Sequence, residues 1–452
     1  MPEGVIRVDA GQAWLDDVRR RLDDALDACT RCGKCAEACP MIEAAGLERG
    51  QGAGLIAGVL DIHRREDDPA YTESVDPAAA AWVQACCGSA YCRDACDYGV
   101  DPRFLVRLAK PALARRAKGD AAVRKAGVAA FRDMSAAART ISRLQLTPEA
   151  LARTGQTLDR PERTTPPDVV FYTGCNVGRT PHILFGALEV LDRLGVDYEV
   201  AGGAAFCCGV YQFNGGDAKT SGRQANGTVD RLAALKAPQV LSWCPTCQIQ
   251  IGDIALGNVT ANGAEAPFDL APYFTFLDAR LDDLTRLFTT PVPMRVALDE
   301  RPGVPEAMVA VRRILAAIPG IELVPLDHVP RVGVMAISMP GTPAFAAAVR
   351  EGAFAAAADA GVAAYVTVYH GCHRELLRHA DGRPFEVLNI LHLICRAMGL
   401  DLEDSYARLL ALGDTEAVLA ETADLAATHG LSPDATRAII TRELFPPARP
   451  GR

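Results

Sequence analysis

The sequence predicts an α-helical, cysteine-bearing N-terminal part joined to an α/β part made of two tandem repeats. Three observations in its 452 residues carry that prediction. The first 150 residues show helical apolar spacing and two cysteine clusters but no convincing strand. From Val169 onward, short β-rich runs alternate with helical stretches. That alternation then recurs at an offset of 126 residues.

In chain order, residues 12 to 28 place Trp14, Leu15, Val18, Leu22 and Leu26 at helical intervals just before the first cysteines. A second helix is expected around Gly54 to Arg64, and Phe104 to Leu144 reads as helices with a break near Gly119. The polar, proline-rich stretch Arg160 to Asp168 marks a linker. Beyond it VVFYTG (169 to 174), YEVAG (198 to 202) and QVLSW (239 to 243) alternate with helical Pro181 to Leu194 and Ala218 to Leu235, which indicates a largely parallel sheet. The offset lays VLSWCPTC (240 to 247) on VTVYHGCH (366 to 373), and VVFYTG near PMRVAL. The expected division is therefore 1–160, 168–290, 291–400 and a helical tail over 401–452. Two facing α/β repeats create a cleft, where chemistry would sit.

Apolar residues at 49% and charged residues at 23% are those of a globular chain and exclude disordered or fibrous classes. The anomaly is fifteen cysteines in clusters. An odd count, a long chain and an acidic start, MPEGVIRVDAGQAWLDD, argue against a secreted disulfide scaffold and for a reducing cytoplasm. No apolar run reaches bilayer length, so any association with the inner membrane would come through a partner. A net charge of -9 argues against a nucleic-acid binder. Basic residues do gather between Arg103 and Lys125, where their mixture with Ala and Leu reads as a solvated helix face or a docking face for an acidic partner.

Cys29, Cys32, Cys35 and Cys39 stand at C-x2-C-x2-C-x3-C before Pro40. This is the spacing that wraps a cubane four-iron cluster, with the fourth cysteine reaching a neighbouring cluster as in two-cluster ferredoxins. A second run departs from it: Cys86, Ser89, Cys92 and Cys96 give C-x2-S-x2-C-x3-C, with Cys87 beside Cys86 and Asp97 in place of Pro. Crossover would assign Cys29, Cys32, Cys35 and Cys96 to one cubane, and Cys86, Cys92 and Cys39 to the other. For the missing corner, Cys87 moves in, Ser89 ligates through oxygen, the site holds a three-iron cluster, or it is empty. A four-iron cluster completed by Cys87 or Ser89 is the preferred reading.

A third set, Cys175, then Cys207 and Cys208 before Gly209, then Cys244 and Cys247, gives C-x31-C-C-G-x35-C-x2-C. Each element follows a predicted strand, so five thiols are expected to converge at one edge of a parallel sheet. In these residues the sequence resembles the CCG-domain proteins related to heterodisulfide reductase. The resemblance spans most of the chain, as a fusion of a ferredoxin-like small subunit with a CCG-type catalytic subunit. It implies that Cys175, Cys207, Cys208, Cys244 and Cys247 bind a noncubane four-iron cluster. The second repeat departs from the family: the offset puts Arg301, Gly333, Val334, His370 and His373 where the first repeat has cysteines, and leaves only Cys372. A second noncubane cluster is not expected there. His370, Cys372, His373 and Arg374 read either as a remnant or as a substrate-facing, proton-handling patch, with Asp299 and Glu300 at the corresponding strand end.

The glycines of Gly50 to Gly58 do not follow a strand and are not expected to bind a dinucleotide, and Cys395 is expected in the core. No flavin, nicotinamide or haem site is indicated. The favoured function is an electron-transfer subunit, with two cubanes and one noncubane cluster, between a partner flavoprotein dehydrogenase and a quinone-linked or other redox partner. The alternative is a catalytic thiol-disulfide or sulfur-transfer oxidoreductase acting at the noncubane cluster beside His370, Cys372 and His373.

Overall fold

A computed structural model describes residues 10–66, 68, 74–156 and 163–446. The acidic start up to Asp9 and the linker residues 160–162 lie outside the described residues.

The N-terminal part is helical, and no strand occurs among its described residues up to 156. Helix α1 (Ala10–Ala28) buries Trp14, Val18, Leu22 and Leu26, spaced four apart on one face as the periodicity requires. Helix α2 (Gly52–Arg64) contains most of the glycine run, and the Glu37 carboxylate accepts the amides of Gly50 and Gly52 at its start. The partial positive charge of that helix end is thus already met by a side chain. Helices α3 (Pro77–Ala85) and α4 (Pro102–Lys118) both begin with an Asp cap and a Pro: Asp76 accepts from Ala78 N at 2.9 Å and Asp101 from Phe104 N at 3.1 Å. Gly119, at φ 80°, separates α4 from α5 (Asp120–Arg143), as expected.

The basic stretch beginning at Arg103 is only partly solvated. Lys118, Arg124 and Lys125 are exposed, but Arg103 is 3% exposed, and Arg107 and Lys110 are half-buried. The solvated-face reading fails for these three because they lie on the side of α4 that packs against the cysteine-bearing loops and the sheets.

The remainder holds two four-stranded parallel sheets. Strands β1 (Val169–Gly174), β2 (Tyr198–Gly202), β3 (Gln239–Ser242) and β4 (Asp269–Pro272) are ordered β2-β1-β3-β4, with Val169 opposite Tyr198 and Gln239. Helices α6 (Pro181–Arg193) and α7 (Ala218–Ala233) are its main crossovers. Strands β5 (Met294–Leu298), β6 (Ile321–Leu323), β7 (Ala364–Thr367) and β8 (Glu386–Asn389) are ordered β6-β5-β7-β8, the same relative order. Here α8 (Pro305–Ala317) and α9 (Pro343–Asp359) are crossovers, while α10 (His370–Leu377) and α11 (Ile390–Ala397) follow β7 and β8. All six residues of β1 are buried, as a central parallel strand covered on both faces must be. One apolar core runs through both sheets, from Val169 and Phe171 through Val296 to Val366 and Cys395. The tail helices Ser405–Ala411, Thr415–Glu421, Ala423–Thr428 and Pro433–Glu443 pack Tyr406, Val418 and Ile440 against Ile141 and Leu144 at the end of α5. Among the described residues no helix is long and apolar enough to cross a membrane.

Candidate metal centres

All fifteen cysteines are free thiols, and thirteen of them fall into three groups. In the first, Cys29, Cys32 and Cys35 line one cavity together with Cys96, with Gly33, Ile56 and Val100 closing it. Three cysteines of the first run and the last of the second therefore face one space. Burial pushes the Cys35 thiol up to about 12.

The second group contains Cys39, Cys86, Cys87 and Cys92, whose charges act on one another. Trp82 Nε1 donates to Cys39 Sγ at 3.3 Å, yet burial still pushes that thiol up to about 11, and burial also raises Cys87 and Cys92. Ser89 is buried beside them, with its Oγ 3.0 Å from Cys87 Sγ. That oxygen also accepts the Gly333 amide at 2.7 Å, and Val334 N donates to Cys87 O at 3.2 Å. The Gly333–Val334 loop of the second sheet unit thus covers the irregular second run.

The third group forms at the carboxyl ends of β1 and β3, where parallel strands present their following loops along one edge. Cys175 follows β1, Cys207 and Cys208 precede a left-handed Gly209, and Cys244 and Cys247 follow β3 at the start of a π-helical stretch over Gln248–Leu256. Their thiols form a continuous chain of contacts, Cys175 to Cys207 to Cys208 to Cys247 to Cys244. Contact with Cys175 raises Cys207, contact with Cys207 raises Cys208, and contact with Cys208 raises Cys247; Cys244 is lowered by the hydrogen bond from Cys247. Tyr172 Oη lies 3.4 Å from Cys247 Sγ and donates to Phe206 O at 2.7 Å. Gly174 sits beneath the group at φ 72°, and a Cβ there would stand 3.2 Å from Cys247 Sγ.

Buried thiols that oppose one another's ionisation become thiolates together only against positive charge among them, which iron supplies. The donor sets therefore fit iron-sulfur ligation. Arg107, with its Nε buried and lacking a hydrogen bond, reaches both the second and the third group: its Nη1 would stand 3.7 Å from a Cβ at Gly88, its guanidinium lies 5.7 Å from the Phe213 ring, and the charges of Cys86 and Cys208 both act on it. Lys110 Nζ donates to Cys86 O at 3.1 Å. Nothing in the sequence signals either role, because both residues read as members of an exposed basic face.

The second sheet gives His370, Cys372 and His373 different neighbours. His370 is buried beside Arg374 and Arg179, and burial lowers it well below the ordinary imidazole range. Cys372 has no exposed surface; its Sγ accepts from Ala336 N at 3.3 Å, and burial, then Asp299, push it up. Asp299 is held by Arg301 through Nε at 3.0 Å and Nη2 at 2.5 Å, and Arg301 Nη1 donates to Val332 O at 3.0 Å. Arg301 and Asp299 thus form a buried ion pair at the end of β5. A cavity of about 290 Å³ opens at this strand end, lined by Asp299, Glu300, Arg301, Arg312 and Tyr365. His373 turns away, its Nε2 2.6 Å from Asp404 Oδ2. Cys395 is buried in α11, as expected.

Residues 169–252 match the cysteine-rich domain family CCG, a span that contains all five cysteines of the third group. Over 431 residues the chain is 24% identical to a subunit of the dihydromethanophenazine:CoB–CoM heterodisulfide reductase of Methanosarcina acetivorans, covering 84% of this chain and 95% of that protein. The corresponding protein of Methanosarcina mazei is 24% identical over 428 residues, covering 83% and 95%. That of Methanosarcina barkeri is 23% identical over 420 residues, covering 83% and 94%.

Proposed function

Because this chain is a heterodisulfide reductase-related protein with a CCG cysteine-rich domain, we propose that it is the electron-relaying iron-sulfur subunit of a multi-subunit oxidoreductase. In this reading the two sheets are tandem repeats of one α/β unit, the second having lost its ligands. Cys29, Cys32, Cys35 and Cys96 hold one cubane cluster; Cys39, Cys86 and Cys92, completed by Cys87, hold another. Cys175, Cys207, Cys208, Cys244 and Cys247 hold a noncubane cluster. When bound, such clusters supply one-electron transfer. The chain's own residues fix where they sit, and Arg107 sets positive charge between the second and third sites, where added electrons would be stabilised. Cys87 is preferred to Ser89 at the irregular corner because the serine oxygen already accepts the Gly333 amide.

The observation that carries the relay reading is that one buried arginine reaches both thiol groups: Arg107 Nη1 would stand 3.7 Å from a Cβ at Gly88, beside Cys87, and its guanidinium lies 5.7 Å from the ring of Phe213, on the helix that follows Cys208. The partners in this reading are a flavoprotein dehydrogenase on one side and a quinone-linked or other redox subunit on the other. The catalytic alternative has substrate sulfur bind at the noncubane cluster beside Cys372, and it is less favoured because Cys372 has no exposed surface and a thiol raised by burial. The test adds a heterodisulfide, cystine or lipoamide to the dithionite-reduced, anaerobically purified chain alone. The relay reading expects no thiol release without partner subunits, and stoichiometric release would establish the catalytic alternative instead.

A further inference from the structure

Three histidines and an aspartate outside the cysteine groups meet where the two sheets join the tail. His182 is the second residue of α6, His373 lies on α10 and His392 on α11. Asp404 caps helix Ser405–Ala411, its Oδ1 accepting Ala407 N at 2.9 Å. His373 Nε2 is 2.6 Å from Asp404 Oδ2 and His182 Nδ1 is 3.2 Å from Asp404 Oδ1. One donor atom from each of His182, His373 and Asp404 lies within 4.8 Å of the others. The His392 ring stands 4.9 Å from that of His182 and 6.0 Å from that of His373. All three imidazoles are buried, His373 at 0%, His392 at 2% and His182 at 5% exposure.

Hydrogen bonding leaves three buried ring nitrogens of this cluster without a partner. The Thr367 hydroxyl donates to Leu388 O at 3.2 Å, so His373 Nδ1, 3.2 Å from Thr367 Oγ1, takes the donor role toward that oxygen. His373 Nε2 then faces a carboxylate oxygen of Asp404 directly. His182 makes no hydrogen bond through either ring nitrogen, and His392 makes none through Nε2. Buried polar atoms of this kind normally have partners. A ring oriented through one nitrogen by a hydroxyl, with the other nitrogen aimed at a shared point, is the arrangement of a metal-ligating histidine. Two or three imidazoles with one carboxylate suit a borderline divalent ion such as zinc.

We propose that His182, His373 and Asp404 bind one divalent cation of the zinc class, with His392 flanking the site. The ion ties the first sheet, the second sheet and the tail together, and its place away from solvent makes it a structural centre. This proposal does not depend on the assignment of the cysteine groups.

The test uses the full chain, purified anaerobically with its iron retained, supplied with one equivalent of zinc and desalted. Zinc and iron are then counted by mass spectrometry, and the zinc X-ray absorption fine structure is recorded. The expected result is about one zinc per chain with nitrogen and oxygen neighbours at ~2.0–2.1 Å. Asp404→Asn and His182→Gln should each lower retained zinc by about tenfold or more with iron unchanged. Sulfur neighbours at ~2.3 Å, or less than about a tenth of an equivalent of zinc in the unaltered chain, would overturn the proposal. Should neither variant fold, the spectrum of the unaltered chain decides.

Discussion

Cys87 and Ser89 stand 3.0 Å apart at the one position where the cubane spacing breaks, and their substitutions should behave differently. With Cys87 as ligand, Cys87→Ala should lose about four iron atoms per chain, whereas Ser89→Ala should keep them and change only the reduced EPR spectrum. Equal iron loss in Ser89→Ala would assign the corner to oxygen. His63 offers a pH signature away from the cysteines. It is buried on α2 with Nε2 2.9 Å from Leu105 O, and burial lowers it from 6.5 to about 4. The folded chain keeps it neutral while the unfolded chain protonates it below 6.5, so this contribution is full above that value and lost as pH falls toward 4. The span corresponds to about 3 kcal/mol at most. His63→Gln, whose amide can donate to the same carbonyl, should show a smaller fall in Tm between pH 7.5 and pH 5.5 than the unaltered chain. At this scale the cysteine groups are legible in the sequence because their spacing is local or follows a strand. His182, His392, Asp404 and Arg107 are not, because neither a buried histidine cluster assembled from three elements nor an inward-facing arginine has a spacing signature.

Helices marked by caps and breaks are legible almost to their ends: Gly119 divides α4 from α5, and Trp14, Val18, Leu22 and Leu26 form the buried face of α1. Helix α3 escapes a reading by periodicity because its PAAAAWVQA sequence has almost no polar contrast from which to draw a period. What α1 packs against is equally unreadable. It lies on α7, where a Cβ at Gly222 would stand 2.3 Å from Trp14 Cδ2, so the helices approach through a residue without a side chain. Gly222→Ala should force them apart at a cost of about 1–3 kcal/mol. The expected readout is a lower Tm with a shifted Trp emission; an unchanged Tm would show that α1 contributes little to holding the helical part on the first sheet.

For the molecule as a whole, the alternation of β-rich and helical runs is enough to anticipate a parallel α/β part, but not the way the parts lock together. Arg103, which its neighbours in sequence place on a surface, pairs with Asp253 and donates through Nη1 to Gly303 O at 2.7 Å, joining α4 to both sheet units. Burial raises Asp253, so removing the guanidinium leaves a carboxyl in surroundings that disfavour its charge. Arg103→Met should cost about 3 kcal/mol, read as a Tm loss that Asp253→Asn in the same chain partly restores. Recovery by the second substitution separates the stranded charge from simple loss of packing.

The Gly333–Val334 loop gives the second sheet unit a part in guarding the irregular cysteine run. Its two amides clasp Ser89 and Cys87, and a Cβ on Gly88 would stand 2.7 Å from Val334. Dioxygen reaching this corner from that side must first part the loop from the cysteine run. Air tolerance should therefore track local opening: Val334→Gly, which removes that cover, should shorten the aerobic half-life of the neighbouring iron and speed deuterium uptake at the Gly333 amide together. A unit whose own thiols, Cys372 and Cys395, lie buried elsewhere thus acts as the gasket for the cysteine run beside it.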